Sequence, residues 1–280
     1  MSTYKSFAVI GGGTIGLPIA AALAAQKVSV VLLSRPGAAT KAVPAGVEVA
    51  TVDTSDTAAV AAVLKQHKVD VVLSTVTTTA AAAQNVFVDA AKSAGVKLFA
   101  PSEYGMPTEG LTEGVLAAKN QVAEYLKTVG IPYTKFYTGM FTEFIPWLVG
   151  FGDHGKIRVV GKGDAPASFT AIPDIAGFVA YVLTTLPPSE LENRVFRLEG
   201  DRASMNDLGP LFKTTVEHVD TIPGEAGELK TSLLALVDTG ACSTGWDQVK
   251  KAEGSGSGAA GSGNALWPGQ WKTIKDVHNV

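Results

Sequence analysis

The segment Val9-Ile10-Gly11-Gly12-Gly13-Thr14-Ile15-Gly16 sets glycines at Gly11, Gly13 and Gly16, between a β-branched apolar run and an Ala-rich stretch. Each glycine answers a different steric demand. Gly11 permits a tight turn out of a strand, Gly13 lets a pyrophosphate approach the main chain, and Gly16 lets the next helix lie close against the strand. The N–H groups from Gly13 through Thr14 and Ile15 to Gly16 then open a helix. Free donors and the positive end of the helix dipole attract an anion there. The chemistry this spacing points to is the holding of a dinucleotide; a tight strand-to-helix turn without a ligand is the alternative.

The next apolar run, 28–33, leads into Ser34 and Arg35. Folds that prefer NAD(H) usually place an acid here to accept from the ribose hydroxyls. A guanidinium instead pairs with a 2′-phosphate and stacks on adenine, a serine donates to the same phosphate, and Lys41 adds a second positive charge. The missing acid and the arginine together favour NADP(H); otherwise Arg35 is a solvated loop residue. Thr75, Val76 and Thr77 end a later run and either border the adenosine and ribose or simply close a strand.

Such residues act together only on a scaffold that gathers strand ends along one edge. Short apolar runs at 7–10, 28–33, 47–52, 69–75, 96–100 and 133–137 alternate with helical stretches at 15–26, 57–67, 79–94 and 115–129. Asp56 is a natural N-cap, and Gly95 and Gly130 close two of the helices. This rhythm predicts βαβ units with right-handed crossovers: an α/β, Rossmann-type doubly wound parallel sheet over residues 1–140. Residues 141–280 read as a smaller α+β substrate lobe. It has helices at 141–148, 174–186, 205–215 and 227–237, and strands at 156–160 and 194–198. Residues 254–264, nearly all Gly, Ser and Ala, read as a flexible loop. The tail after it carries Trp267 and Trp271 and is expected to dock, since an exposed Trp pair is unfavourable.

Lysines and arginines number 23 against 26 acids, without clustering, so no nucleic-acid partner is expected. No run approaches the roughly 18 apolar residues of a membrane span. The N-terminus does not read as a signal peptide, and Cys242 is the single cysteine, so a cytoplasmic location is expected. His67, His154, His218 and His278 lack metal-ligand spacing, so no metal is expected. The oligomeric state is left open between monomer and homodimer.

The run Phe99-Ala100-Pro101-Ser102-Glu103-Tyr104-Gly105, followed by Ala117-Ala118-Lys119-Asn120 and Tyr137-Thr138-Gly139-Met140-Phe141, resembles the isoflavone-reductase-like and NmrA-like group of atypical short-chain dehydrogenase/reductases. The resemblance is strong to about Phe141 and looser beyond. It implies an NADPH-dependent reductase of a small, partly aromatic substrate: phenylpropanoid- or isoflavone-like, an enone, ketone or imine. It also puts the general acid/base on Lys119, in contact with the nicotinamide ribose or substrate. The ordinary short-chain family has a tyrosine four residues earlier, where this chain has Val115. Lys119 shares the apolar face of its helix with Val122 and Leu126; without the resemblance it would read as a snorkelling lysine.

Ser102 is a candidate cofactor contact. Tyr104 lines the substrate site or the core. Tyr137 and Thr138 should pass near the nicotinamide, and Phe141, Phe144 and Trp147 form a stripe, either core or a lid facing substrate. Regulatory members of the same group bind the dinucleotide without turnover and sense redox state, which is the alternative function.

Overall fold

The computed structural model describes residues 4–38, 42–114 and 116–280, side chains at 153 and 154 excepted. The N-terminal half alternates β1 (Ser6–Ile10), α1 (Gly16–Ala25), β2 (Ser29–Ser34), β3 (Val47–Thr51), α2 (Thr57–Gln66), β4 (Val71–Ser74), α3 (Gln84–Ala94), β5 (Leu98–Ala100), α4 (Ala117–Val129) and β6 (Thr134–Tyr137). There follow β7 (Met140–Phe141), α5 (Ile145–Leu148), α6 (Phe151–His154), β8 (Ile157–Val159), β9 (Ala167–Thr170), α7 (Ile172–Thr185), β10 (Arg194–Arg197), β11 (Asp201–Ala203), α8 (Leu208–Leu211), β12 (Val216–His218), α9 (Gly227–Asp238), β13 (Trp246–Asp247), β14 (Ala252–Glu253) and α10 (Ile274–His278).

The first five strands form one parallel sheet in the order β3-β2-β1-β4-β5. The chain leaves β1 to one side through β2 and returns to the other through β4. This reversal opens a crevice at the carboxyl ends of β1 and β4. Both strands are buried at every residue, because crossover helices cover both faces. Asp56 accepts from the N–H groups of Ala58 and Ala59, and Gly95 and Gly130 end α3 and α4 at φ 73° and 70°. The sixth strand departs from the expected sheet. It pairs with β10, and Tyr133 just before it makes an isolated bridge to Phe99 of β5.

The chain divides into two units. One holds residues up to Glu103, Gly110–Phe136 and Ile175–Phe196; the other holds Tyr104–Glu109, Tyr137–Asp174 and Arg197–Val280. The segment Ile175–Phe196 joins the first because aromatic rings bind it there. Phe136 stacks on Phe196 at 5.5 Å and meets Phe178 edge-on at 6.3 Å. The core of the second unit is built on Leu148, Ile157, Phe169, Leu208, Leu234 and Ile274.

Three expectations for the second half are corrected. The helix at 141–148 is instead β7, a 3-10 turn over Thr142–Phe144, and one turn of α5. Pro146 lies in the first turn of α5, where its missing N–H has no intrahelical partner to lose, so the helix begins there. The helix at 205–215 shrinks to α8 and gives way to β12, which pairs in parallel with β8. Residues 254–264 are not a free loop. Asn264 donates to Glu199 O at 2.6 Å and accepts from Glu199 N, while Gly263 N donates to Arg197 O at 3.0 Å. Arg202 forks onto Glu199 at 2.8 Å and Glu253 at 2.5 Å. Small residues serve main-chain contact here: a Cβ on Gly254 would lie 2.5 Å from Gly258 O. The tail docks within its own unit, with Trp267 and Trp271 edge-on at 4.8 Å and Ile274 fully buried. Among the described residues no helix is long and apolar enough to cross a membrane.

Candidate functional site

The crevice is a cleft of about 580 Å³, wholly within the first unit. Gly11 and Gly13 form one wall, Ser34 ends β2 with Arg35 just after it, and Thr75, Val76 and Thr77 line it past β4. The three glycines behave differently. Gly11 sits at φ +109°, and a Cβ there would meet Thr75 O at 3.0 Å. A Cβ on Gly16 would collide with Gly11 O and Thr75 Oγ1, so the first turn of α1 is sealed against the loop. A Cβ on Gly13 would meet nothing within 4 Å. Gly13 therefore faces open space where a phosphate has room to reach the main chain. No acidic side chain occupies the first turn of α1 and no side chain caps it, which leaves the positive end of its dipole unopposed locally. Thr14 is exposed and Ile15 is buried at the N-cap.

Two of the expected contact residues turn out to have supporting work. Thr75 Oγ1 donates to Gly11 O at 2.7 Å and lies 3.1 Å from Ile10 O, so its hydroxyl holds the glycine loop. Ser102 Oγ donates to Val76 O at 2.7 Å, and Ser102 N donates to Gln84 Oε1 at 2.8 Å. Both hydroxyls fix main chain around the cleft. Lys41 and Val115 lie outside the described residues.

Lys119 is 8% exposed and donates from Nζ to Glu103 O at 2.7 Å. Burial pulls its ammonium below the ordinary lysine range, opposed by the charge of Glu103. It stands on α4 with Val122, Ala123 and Leu126, all buried. The amine is thus held at the end of β5, on the edge to which Ser102 ties Val76.

The remaining candidates belong to the second unit. Tyr104 is a non-glycine residue at φ +26°, strained and buried, and burial pushes its phenol upward. Tyr137 is fully buried beneath the Arg197 guanidinium, 5.2 Å above its ring. Thr138 is buried, with its N–H on Gly105 O and its carbonyl accepting from Thr170 Oγ1. Phe141, Phe144 and Trp147 form a ladder with ring centroids 5.8 and 6.4 Å apart; Phe144 and Trp147 are 42% and 41% exposed.

Sequence reasoning missed much of the apolar wall: Leu17, Leu32, Val43 and Val49 also line the cleft. The signal for Val49 was present, because β3 is an edge strand with an outward valine. Gln84 was also missed. It follows four alanines, is fully buried, and accepts from Ser102 N, clamping that residue.

Residues 3–226 match the NmrA-like family. The chain belongs to that family. Among its NmrA-like and oxidoreductase relatives, the oxidoreductase aprR of Aspergillus flavus is 32% identical over 218 residues, 74% of this chain and 72% of that protein. Isoflavone reductase homolog P3 of Arabidopsis thaliana is 30% identical over 186 residues, 61% of this chain but only 58% of the relative's own length. Among solved structures, the leucoanthocyanidin reductase–NADPH complex of Vitis vinifera superposes with a TM-score of 0.76 at 21% identity, covering 98% of each chain. An NADPH-dependent quinone oxidoreductase from Escherichia coli, complexed with NADPH, gives 0.73 at 21% identity, also covering 98% of each. At these identities the structural correspondence is one of fold.

Proposed function

We propose that this NmrA-like chain is an NADPH-dependent oxidoreductase acting on a small, partly aromatic substrate. One observation carries the reading: the cleft joins the open main chain at Gly13 to Ser34 and Arg35, and no carboxylate is among its described lining residues. A cofactor with a 2′-phosphate meets the Arg35 guanidinium and donors there, and the described lining lacks the acid that would select its unphosphorylated form. Relatives named as oxidoreductases and a shared fold with NADPH-bound reductases support it.

When bound, the nicotinamide supplies the hydride. The chain's own residues bind and orient. The N–H groups at the start of α1 take the pyrophosphate, Arg35 and Ser34 take the 2′-phosphate, and Thr75 and Ser102 keep the surrounding main chain in place. Lys119 holds a proton at Nζ in a desolvated setting, where a lowered pKa suits release to a substrate oxygen, nitrogen or carbon. The proposed substrate class is an enone, ketone, imine or phenylpropanoid-type compound, for which Tyr104, Phe141 and Phe144 are the candidate residues. Calorimetry with NADPH and NADH, followed by absorbance at the NADPH band over a panel of aromatic enones, ketones and quinones, tests this. Absence of binding by either nucleotide would refute it.

A second reading is a redox-sensing regulator that binds the cofactor without turnover. The hydrogen bond from Lys119 Nζ to the Glu103 carbonyl favours it, because that bond gives the amine a structural occupation. Tight NADP(H) binding with no turnover on any of the panel would select this reading.

A further inference from the structure

The aromatic ladder is held from below by the end of the chain. Thr142, between Phe141 and Phe144, is fully buried, and its carbonyl accepts from His278 Nε2 at 2.8 Å. His278 stands on α10, in ring contact with Phe212 at 5.2 Å. The segment leading into α10 is itself fixed at two main-chain points. Lys272 N donates to the buried Asp174 carboxylate at 2.7 Å, and Ile274 N donates to Asp201 at 2.9 Å. Thr273 and Asp276 form a reciprocal cap at the start of the helix, and Ile274 is a fully buried plug. The neighbouring Glu143 accepts from Ile172 N, so residues 142 and 143 are pinned from two directions while the rings of Phe144 and Trp147 stay open to solvent.

We propose that residues 272–280 are a specificity-determining element. By fixing Thr142 they set the height and tilt of the Phe141–Phe144–Trp147 ladder, and so decide how well a planar aromatic group stacks on it. His278 is a positioning residue that touches neither cofactor nor substrate. The inference rests on the reading that this ladder faces substrate. Its physical basis is that aromatic groups favour offset-stacked or edge-to-face contacts, so the position and tilt of these rings determine which planar groups pack well on them.

The test compares wild type with His278→Ala, which removes the donor, and His278→Gln, which restores an N–H donor. Three quantities are measured on each: the NADPH Kd, KM for an aromatic enone against its aliphatic counterpart, and the near-UV circular dichroism of the tryptophan band. The expected result for Ala is a rise of up to about fivefold in the aromatic KM alone, the weight of one neutral hydrogen bond. The near-UV band weakens, NADPH Kd and the aliphatic KM hold, and Gln restores both changes. An unchanged aromatic KM with an unchanged near-UV band overturns the proposal, as does an equal rise for both substrates. If wild type binds no NADPH, the proposed function fails, and the near-UV comparison alone decides whether the tail sets the ladder.

Discussion

Gly13 and Gly16 offer a paired perturbation in which one methyl group has opposite consequences at two sites three residues apart. In Gly16→Ala the added Cβ lands on Gly11 O and Thr75 Oγ1, and the main chain of a sealed turn has little room to retreat. Overpacking of this kind destabilises by about 1–3 kcal/mol, or a Tm drop of about 2–4 °C per kcal/mol in a chain of roughly this size. In Gly13→Ala the methyl meets nothing within 4 Å, so the fold should change by less than about 0.5 kcal/mol. That methyl instead occupies the space proposed for the pyrophosphate. A displaced phosphate loses charge-assisted hydrogen bonds worth about 1.5–3 kcal/mol each, so NADPH should bind at least about tenfold more weakly. Differential scanning fluorimetry and calorimetry on both variants separate the effects. A Gly13→Ala protein that binds NADPH as wild type does would show that the phosphate is not held at this loop. A Gly13→Ala protein that melts below Gly16→Ala would overturn the steric account of the turn.

Three further outcomes follow from the geometry. Arg35→Gln should weaken NADPH about tenfold to a hundredfold by calorimetry while leaving NADH unchanged, since only the 2′-phosphate loses its partner; equal losses for both would place the arginine elsewhere. Lys119→Met should melt above wild type at neutral pH, because burial lowers the lysine's folded pKa below the ordinary 10.5 and the unfolded chain binds the extra proton in between. Wild-type stability therefore rises with pH through that window, and the gap between the two proteins should narrow as pH approaches 10.5; a gap constant with pH would contradict the burial argument. Asp174→Asn should stabilise near neutral pH and lose its advantage below the unfolded value of 3.8: burial raises the folded pKa, so the ionised wild type is penalised above that window and not beneath it. Thermal melts from acid to neutral pH read this directly, and a constant difference would refute it.

The sheet and several residues lining its crevice were legible because their signals are local. A glycine triplet between a strand and a helix, an arginine where an acid belongs, and runs of period-matched apolar residues each act over a few neighbours. What was not legible depended on distant partners. Nothing near Thr75 and Ser102 in the sequence shows that their hydroxyls also hold Gly11 O and Val76 O. The stretch around residues 254–264 has the composition of a linker. Its order comes from Asn264 reaching Glu199 and Arg202 reaching Glu253, pairs dozens of residues apart, and from main chain lying against main chain. The break at Pro146 could have been read from the proline itself; the aromatic spacing before it suggested a helix and masked the signal.

The two units share one thread that passes from one to the other five times. A ribosome releasing this chain N-terminus first therefore cannot finish the first unit early. Phe136 must wait for Phe178 and Phe196 to emerge before its ring has company, by which time the first two segments of the other unit have also been made. Cutting the gene at residue 140 would yield a sheet with an uncovered flank rather than a portable cofactor module, and a fragment ending after residue 196 would carry unpaired pieces of its neighbour.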